Sequence, residues 1–339
     1  MVKERDLSFD SVKGVLIILV IIGHILPGSD SEGVRGLIYY FHMPLFLAVT
    51  GYFIKTKALD VEWSELLKRY KFRMILPYIV AFIIYTLCHC LFSIGIENLK
   101  LKDVIWLIPH PYYHLWYIPA VLIFIAYTKI IKGNIIAVYI LFVLSSIISI
   151  LWHGSDNLVD NLFPSVKYLG DKRFYNYYSF FLLGYIIGNI NVTVKWYISV
   201  TICLLIVFIN RMTTLPPSVG AVNWYVFNVF LIFFVIALCQ HKYFLVNRFL
   251  VSLGQTSLPV YLWHVGCIFI AGEIMNDSGV EYYLMALFFV VILMWFSISQ
   301  RGKYFLLNRY FYGESSKPKW RTLESNVYLI MSICPCQGA

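Results

Sequence analysis

The stretch RDLSFDSVKGVLIILVIIGH, residues 5–24, joins a long apolar run to ionisable side chains that a lipid bilayer disfavours. Because an α-helix turns about 100° per residue, Asp10, Lys13 and His24 fall on one face of the same helix. Lys13 and His24 are about 16 Å apart along the axis, so Lys13 marks the cytoplasmic boundary and His24 lies in the outer half. An ionisable group in a membrane span costs at least a few kcal/mol unless it faces a cavity or a partner. This face is therefore a candidate site, although Lys13 alone is also typical of a topology anchor.

The whole chain has the composition of an integral membrane protein. Its 339 residues are 60% apolar, 18% aromatic and only 13% charged, with a formal net charge of +9. The basic residues lie between apolar runs rather than on one surface, so nucleic acid is not an expected partner. Seven scattered cysteines favour neither a disulfide framework nor a metal site, and we expect no metal. The motifs of metalloproteases, nucleotide hydrolases and serine hydrolases are absent from the sequence.

Ten apolar runs are long enough to cross a bilayer core of about 30 Å, and they predict an all-α, polytopic helix bundle. The predicted spans are 12–27, 37–54, 74–95, 115–131, 135–152, 174–190, 195–210, 222–240, 257–275 and 281–299. Placing both termini in the cytoplasm assigns 20 basic residues to the inside and seven to the outside, as the positive-inside rule requires. We therefore expect one membrane domain over residues 1–300 and a basic, flexible cytoplasmic tail over residues 301–339.

Two further histidines are expected at the outer level of His24. The second span, YYFHMPLFLAVTGYFIK (residues 39–55), contains His42, and the fourth begins with HLWYIP (residues 114–119), which contains His114. A structural histidine that bonds to a backbone carbonyl is an equally good interpretation of His42. Trp116 and Tyr117 lie beside His114, where aromatic residues are more often interfacial anchors than ligands.

The ninth span begins on the inside with LGQTSLPVYLWH, residues 253–264. Ser257, Tyr261 and His264 are spaced by four and three residues, which places them along one stripe of a helix. Such a stripe lines a site or satisfies its own hydrogen bonds against neighbouring helices.

A basic cluster lies in the cytoplasmic segment KTKALDVEWSELLKRYKFRMILPY, residues 55–78. Its arginines either determine topology or bind the phosphates of a soluble anionic donor through charge-assisted hydrogen bonds. Arg73, next to the membrane, is the better candidate for the donor role, and Arg69 is the poorer one.

These motifs together resemble the acyltransferase-3 superfamily, ten-span membrane enzymes that O-acetylate bacterial surface polysaccharides. The resemblance rests on FDSVKGVLIILVIIGH, with its basic-x10-His pattern, and on FHMPLFLAVTGYF, RMILPY, HLWYIP and LGQTSLPVYLWH. It implies a cytoplasmic acetyl-CoA or related acyl-CoA donor, an outer sugar hydroxyl of a surface or lipid-linked glycan, and a place in the bacterial cytoplasmic membrane. The chain differs from the family pattern at Tyr70, where the first arginine of an Arg-x-x-Arg pair is usual, and at Thr50, which replaces a serine.

Acyl transfer from a thioester to an alcohol requires a base for the hydroxyl proton, and the unperturbed pKa of an imidazole, about 6.5, suits this role. We expect His24 to be the base or, as a second possibility, a transient acyl acceptor, with Asp10 and Lys13 organising the inner end of the passage. The acceptor side is assigned to His42, His114, Trp116, Tyr117, Ser257, Tyr261 and His264. Two other functions use the same polar residues: a transporter or flippase for lipid-linked sugars, and a structural partner in polysaccharide synthesis.

Overall fold

The computed structural model describes residues 6–28, 33–89, 91, 101–112, 114–154, 164–190, 192, 194–213, 215–241, 246–275 and 279–314. Within these ranges all regular secondary structure is helical, which confirms the all-α prediction. In chain order the helices are α1 (Leu7–Ile25), α2 (Gly33–Tyr52), α3 (Thr56–Leu59), α4 (Trp63–Tyr70), a π-helical turn (Lys71–Ile75), α5 (Leu76–His89), α6 (Leu101–Trp106), α7 (Tyr117–Ile131), α8 (Ile135–Gly154), a 3-10 helix (Pro164–Leu169), α9 (Arg173–Asn176), α10 (Tyr178–Ile190), α11 (Trp196–Met212), α12 (Pro217–Gln240), α13 (Arg248–Gln255), α14 (Ser257–Met275), α15 (Val280–Ser299) and α16 (Phe305–Tyr310).

Six helical stretches in the described part of the chain are long and apolar enough to cross a membrane. They are Leu7–Ile25, Trp63–His89, Ile135–His153, Pro217–Gln240, Ser257–Met275 and Val280–Ser299. Each of the ten predicted spans overlaps a helix, but helix lengths alone do not test ten crossings or two cytoplasmic termini, which stay predictions. The chain is a multi-pass membrane protein.

Helix α1 lies at the centre of the bundle and carries the candidate face formed by Asp10, Lys13 and His24. It begins after Asp6, whose side chain accepts a hydrogen bond from the Ser8 amide at 3.0 Å, and it ends just before Pro27. It packs against α2, α13 and α14. Asp10, near the start of α1, is buried, and His24, near its end, is half-buried. The central position of α1 therefore brings its polar face against protein rather than lipid.

Glycines allow two pairs of helices to touch backbone to backbone. A Cβ atom at Gly254 of α13 would overlap the Asp10 carbonyl of α1, and one at Gly14 of α1 would overlap the Leu250 carbonyl of α13. The same relationship joins α2 to α10, where a Cβ at Gly184 would overlap the Ala48 carbonyl. Small residues at helix contacts permit this close approach. The contact of α1 with α13 sets the environment of Asp10.

Trp63–His89 forms one long helical stretch that contains the π-helical turn. Helix therefore begins well before the predicted third span, 74–95, and Arg73 lies inside this helical stretch. A π-helical turn adds one residue to the helical repeat and is often found at functional sites.

Residues 301–314, the first part of the predicted tail, pack against the bundle. The Tyr312 hydroxyl donates to the Ser297 carbonyl at 2.7 Å, and a Cβ at Gly313 would overlap the Arg73 carbonyl. Residues 315–339 lie outside the described residues, and a separate tail over 301–339 stays a prediction.

Candidate active site

Three histidines from distant parts of the sequence meet in the interior of the bundle. His24 lies on α1, His114 lies just before α7, and His264 lies on α14. The ring centroids of His24 and His264 are 5.1 Å apart, those of His114 and His264 are 4.9 Å apart, and those of His24 and His114 are 6.3 Å apart. His114 and His264 are buried, with 3% and 0% of their surface exposed. We call these three residues the histidine cluster.

Backbone carbonyls fix the protons on two rings of the histidine cluster. His264 Nδ1 lies 2.7 Å from the Tyr261 carbonyl oxygen, and His114 Nε2 lies 3.1 Å from that of Leu262. Because a carbonyl oxygen only accepts hydrogen bonds, each of these nitrogens carries the proton, and the other nitrogen of the neutral ring bears a lone pair. Those other nitrogens, His264 Nε2 and His114 Nδ1, are buried and have no hydrogen-bond partner among the described residues. The histidine cluster thus contains two buried nitrogens that can only accept.

His24 is contacted by Tyr39 of α2, which is not among the predicted site residues. The Tyr39 hydroxyl lies 3.4 Å from His24 Nδ1. The guanidinium of Arg35 lies 5.3 Å from the centre of the Tyr39 ring and donates to the Leu26 carbonyl at 2.9 Å. Tyr39 therefore links the imidazole of His24 to the connection between α1 and α2.

His42 is near this group but is bound to its own helix. Its Nδ1 lies 2.7 Å from the Ile38 carbonyl oxygen, and its ring centroid lies 5.0 Å from that of Tyr39. This bond is the one expected of a structural histidine. The spacing of Tyr39 and His42 by three residues, on one face of α2, is the sequence signal that could have indicated Tyr39.

Tyr85 of α5 is a second neighbour that the sequence did not reveal. Its hydroxyl accepts a hydrogen bond from the Gly266 amide at 2.7 Å and donates to the Leu262 carbonyl at 3.1 Å. These two backbone groups pair with each other in a regular α-helix. Tyr85 thus inserts into the turn of α14 that carries His264, and its ring centroid lies 5.4 Å from that of His114. The run around Tyr85 is almost uniformly apolar, so no periodicity marks this residue.

Trp116 is enclosed by protein. It is 5% exposed; its ring stacks on Tyr177 at 5.4 Å and lies 4.8 Å from the guanidinium carbon of Arg173. Arg173 is itself held by an ion pair with Asp171. Trp116 supports the segment that carries His114, and its ring is not an open surface.

The two predicted tyrosines also face protein. The Tyr117 hydroxyl lies 2.7 Å from Thr50 Oγ1, and the Tyr261 hydroxyl donates to the backbone carbonyl of His114. Thr50 in turn donates to the Phe46 carbonyl at 3.0 Å, so it accepts from Tyr117. Both tyrosines are buried and fix the elements around the histidine cluster.

Ser257 does not join the histidine cluster, although it shares a helix with His264. It is the first residue of α14, and the rise of an α-helix places it about 10 Å from His264 along the axis.

A chain of polar side chains surrounds the N-terminal end of α1. Lys13 Nζ lies 4.0 Å from Asp10 Oδ1, and Gln255 Nε2 of α13 donates to Asp10 Oδ2 at 3.3 Å. Arg301 donates to Gln255 Oε1 at 2.7 Å and pairs with Glu314 at 2.8 Å. Asp10 and Lys13 are thus connected to α13 and to residues 301–314.

The two candidate donor-binding arginines differ in their surroundings. The Arg69 guanidinium donates to the Ala58 carbonyl at 3.0 Å and to Glu65 at 3.4 Å. Arg73 is exposed, and no hydrogen bond or ion pair among the described residues engages its guanidinium. Arg73 is therefore the one that can bind an anion without breaking an existing contact.

Among the described residues, no group of three or more His, Cys, Asp or Glu side chains is arranged to hold a metal ion. The histidine cluster consists of three imidazole rings. On His114 and on His264, a hydrogen bond to a backbone carbonyl already occupies one of the two ring nitrogens.

The acyltransferase-3 family model, described as an acyltransferase domain, matches residues 6–299. The chain belongs to this family. The match contains the whole histidine cluster together with Asp10, Lys13 and Arg73. The predicted family is therefore confirmed.

Two curated proteins are similar over a short segment. The nodulation protein NolL of Mesorhizobium japonicum is 39% identical over 82 residues, and that of Sinorhizobium fredii is 35% identical over 82 residues. Each match covers 22% of this chain and 22% of the relative, so the chain spans about a fifth of the length of the curated relatives it matches. No solved structure matches the chain.

Proposed function

We propose that this acyltransferase moves an acetyl group from cytoplasmic acetyl-CoA to a sugar hydroxyl of a surface or lipid-linked glycan, in the cytoplasmic membrane of a bacterium. The observation that carries the proposal is the histidine cluster, in which three imidazoles meet inside a membrane protein of an acyltransferase family. A base that is enclosed by helices suits transfer to an alcohol, because water that reached the thioester would hydrolyse it.

His24 is the proposed catalytic base. It is the half-buried member of the histidine cluster, whereas the other two rings are buried, so it is the one that a substrate reaches. It removes the proton of the sugar hydroxyl as the oxygen attacks the thioester carbonyl carbon. The carbon–sulfur bond then breaks, and the thiolate of coenzyme A takes up the proton.

The donor is proposed to bind through Arg73. Its exposed guanidinium in the π-helical turn matches the fork geometry of a phosphate group. Arg69, tied to Ala58 and Glu65, shapes the segment before it. Asp10 and Lys13, at the inner end of α1, lie between the cytoplasmic side and His24 and organise this end of the passage.

The acceptor side is proposed to be formed around His114 and His42. Trp116, Tyr117 and Tyr261 hold the backbone there through the stacking and hydrogen bonds described above, whereas Ser257 lies about 10 Å from His264 along α14 and is not placed at this side. The two tyrosines act by shaping the site, since their hydroxyls already have protein partners.

A labelling experiment tests the function. Membranes that contain the protein are incubated with acetyl-CoA radiolabelled in the acetyl group and with the glycan of the host cell. We expect label in the glycan that mild alkali removes, because the product is an ester. His24→Ala should lower the initial rate at least about a hundredfold, the usual contribution of a general base. Movement of the glycan across the membrane without label would instead identify a transporter.

A further inference from the structure

His264 is fully buried, and one of its nitrogens lacks a partner. With 0% of its surface exposed, it cannot touch a substrate in this structure. Its Nδ1 donates to the Tyr261 carbonyl at 2.7 Å, with the Val260 carbonyl at 3.2 Å, so the lone pair of the neutral ring is on Nε2. A buried acceptor without a donor costs about 1–3 kcal/mol, so its presence calls for a functional explanation.

Among the described residues, the only imidazoles within reach of His264 are those of the histidine cluster, and one of them cannot serve as the donor. His114 uses its single ring proton on the Leu262 carbonyl. His24 remains, with ring centroids 5.1 Å apart and planes inclined by 52°. At this separation the edges of two imidazoles can approach to hydrogen-bond distance. Catalytic hydrogen bonds are often long in unliganded enzymes and tighten when substrate binds.

From this we infer that His264 is a positioning residue that selects the tautomer of His24. Nε2 of His264 accepts a hydrogen bond from the Nε2 proton of His24, which leaves the lone pair of His24 on Nδ1. The base atom for the reaction is therefore Nδ1, the nitrogen that lies 3.4 Å from the Tyr39 hydroxyl. The inference rests on the proposed function, because it assigns a partner to the proposed base.

The same hydrogen bond to His264 stabilises the positive charge that forms on His24 during the reaction. When His24 Nδ1 takes the proton of the sugar hydroxyl, the oxygen bonds to the thioester carbon and His24 becomes a cation. His264 stabilises this cation at its other N–H, as the third group of a triad stabilises the base. Loss of the carbon–sulfur bond then produces a thiolate, which takes the proton from Nδ1 and restores the neutral pair.

Two substitutions separate this role from a structural one. His264→Leu removes the acceptor and keeps an apolar side chain, whereas His264→Gln restores an acceptor oxygen. We expect His264→Leu to lower kcat for acetyl transfer about a hundredfold with the KM for acetyl-CoA unchanged, and His264→Gln to recover at least about tenfold of that loss. Wild-type kcat in His264→Leu, or equal losses in the two variants, would overturn the inference. His153→Leu is the matched control, because the His153 ring stacks on Trp224, outside the histidine cluster.

A spectroscopic measurement tests the tautomer without relying on activity. In protein labelled with 15N-histidine, the His24 signals are assigned by their loss in His24→Gln. We expect the Nε2–H tautomer in the wild type and a mixture of tautomers in His264→Leu. An Nδ1–H tautomer in the wild type would refute the inference even if neither His264 variant folds. Failure of the wild type to acetylate any glycan, with the expected tautomer present, would refute the proposed function alone.

Discussion

The Tyr85 hydroxyl lies between the Gly266 amide and the Leu262 carbonyl, at 2.7 Å and 3.1 Å, and so it bridges the turn of α14 that carries His264. The Leu262 carbonyl also accepts from His114 Nε2, at 3.1 Å. Tyr85 thus stabilises the turn that carries His264, and its hydroxyl bonds to the same Leu262 carbonyl as His114. This relationship makes α5, which contributes no ring to the cluster, part of its support.

Tyr85→Phe should therefore lower kcat about tenfold while the protein still folds, because only the bridging hydroxyl is lost and the turn is free to shift. The measurement is the initial rate of acetyl transfer at saturating acetyl-CoA. Tyr78→Phe is the matched control on the same helix, since the Tyr78 hydroxyl makes no hydrogen bond with the described residues. Equal rates for Tyr85→Phe and Tyr78→Phe would show that the bridge does not matter.

Gly254→Ala should destabilise the protein by about 1–3 kcal/mol, because the added Cβ meets the Asp10 carbonyl and α13 has to move away from α1. Thermal unfolding in detergent, followed by the loss of helical circular dichroism, measures the effect. Gly220→Ala is the control, since a Cβ there has nothing within 4 Å. An unfolding temperature for Gly254→Ala at or above that of Gly220→Ala would contradict the backbone contact.

Arg73→Lys should raise the KM for acetyl-CoA about tenfold with kcat little changed, because lysine keeps the charge but loses the fork of donors. The steady-state KM in sealed, inverted membrane vesicles is the appropriate measurement. Arg69→Lys, at a guanidinium already bound to protein, serves for comparison and should leave the KM within about twofold. An unchanged KM for Arg73→Lys would leave Arg73 as a topology determinant.

Thr50→Val should destabilise the protein by about 1–3 kcal/mol, because the buried Tyr117 hydroxyl loses its acceptor. Thr50→Ser keeps the oxygen and should behave like the wild type within about 0.5 kcal/mol. The measurement is the free energy of unfolding of the two variants, from chemical or thermal unfolding in the same detergent. A free energy of unfolding for Thr50→Val equal to that of the wild type would contradict this role of the Thr50 hydroxyl.

Much of this arrangement follows from the sequence. Helical arithmetic put Asp10, Lys13 and His24 on one face, and counting of basic residues placed His114 at the level of His24. The structure brings His24 and His114 within 6.3 Å. The proximity of these two residues was predictable because helical periodicity and the distribution of basic residues both extend over whole helices. An error of one residue in a helix boundary changes either of them little.

Other features depend on tertiary packing that periodicity cannot show. The spacing of four and three residues grouped Ser257 with His264 on one face of a helix. This spacing does not take account of the distance along the helix axis, which keeps Ser257 away from the histidine cluster. Tyr85 was missed because its only signal is a bond to the backbone of a helix far along the chain. The sequence could rank Arg73 above Arg69 but could not show why, since the contact of Arg69 with Ala58 depends on how α3 packs against α4.

The contact of Arg301 with Gln255 has a practical consequence for experiments that map membrane topology. Reporter enzymes are commonly fused directly after a chosen hydrophobic helix. A fusion placed at residue 300 would delete the segment that reaches, through Gln255, the buried carboxylate of Asp10. Loss of activity in such a hybrid would then report a severed polar link near the N-terminal end of α1 and not an inverted orientation. Fusion after residue 314 keeps that link intact.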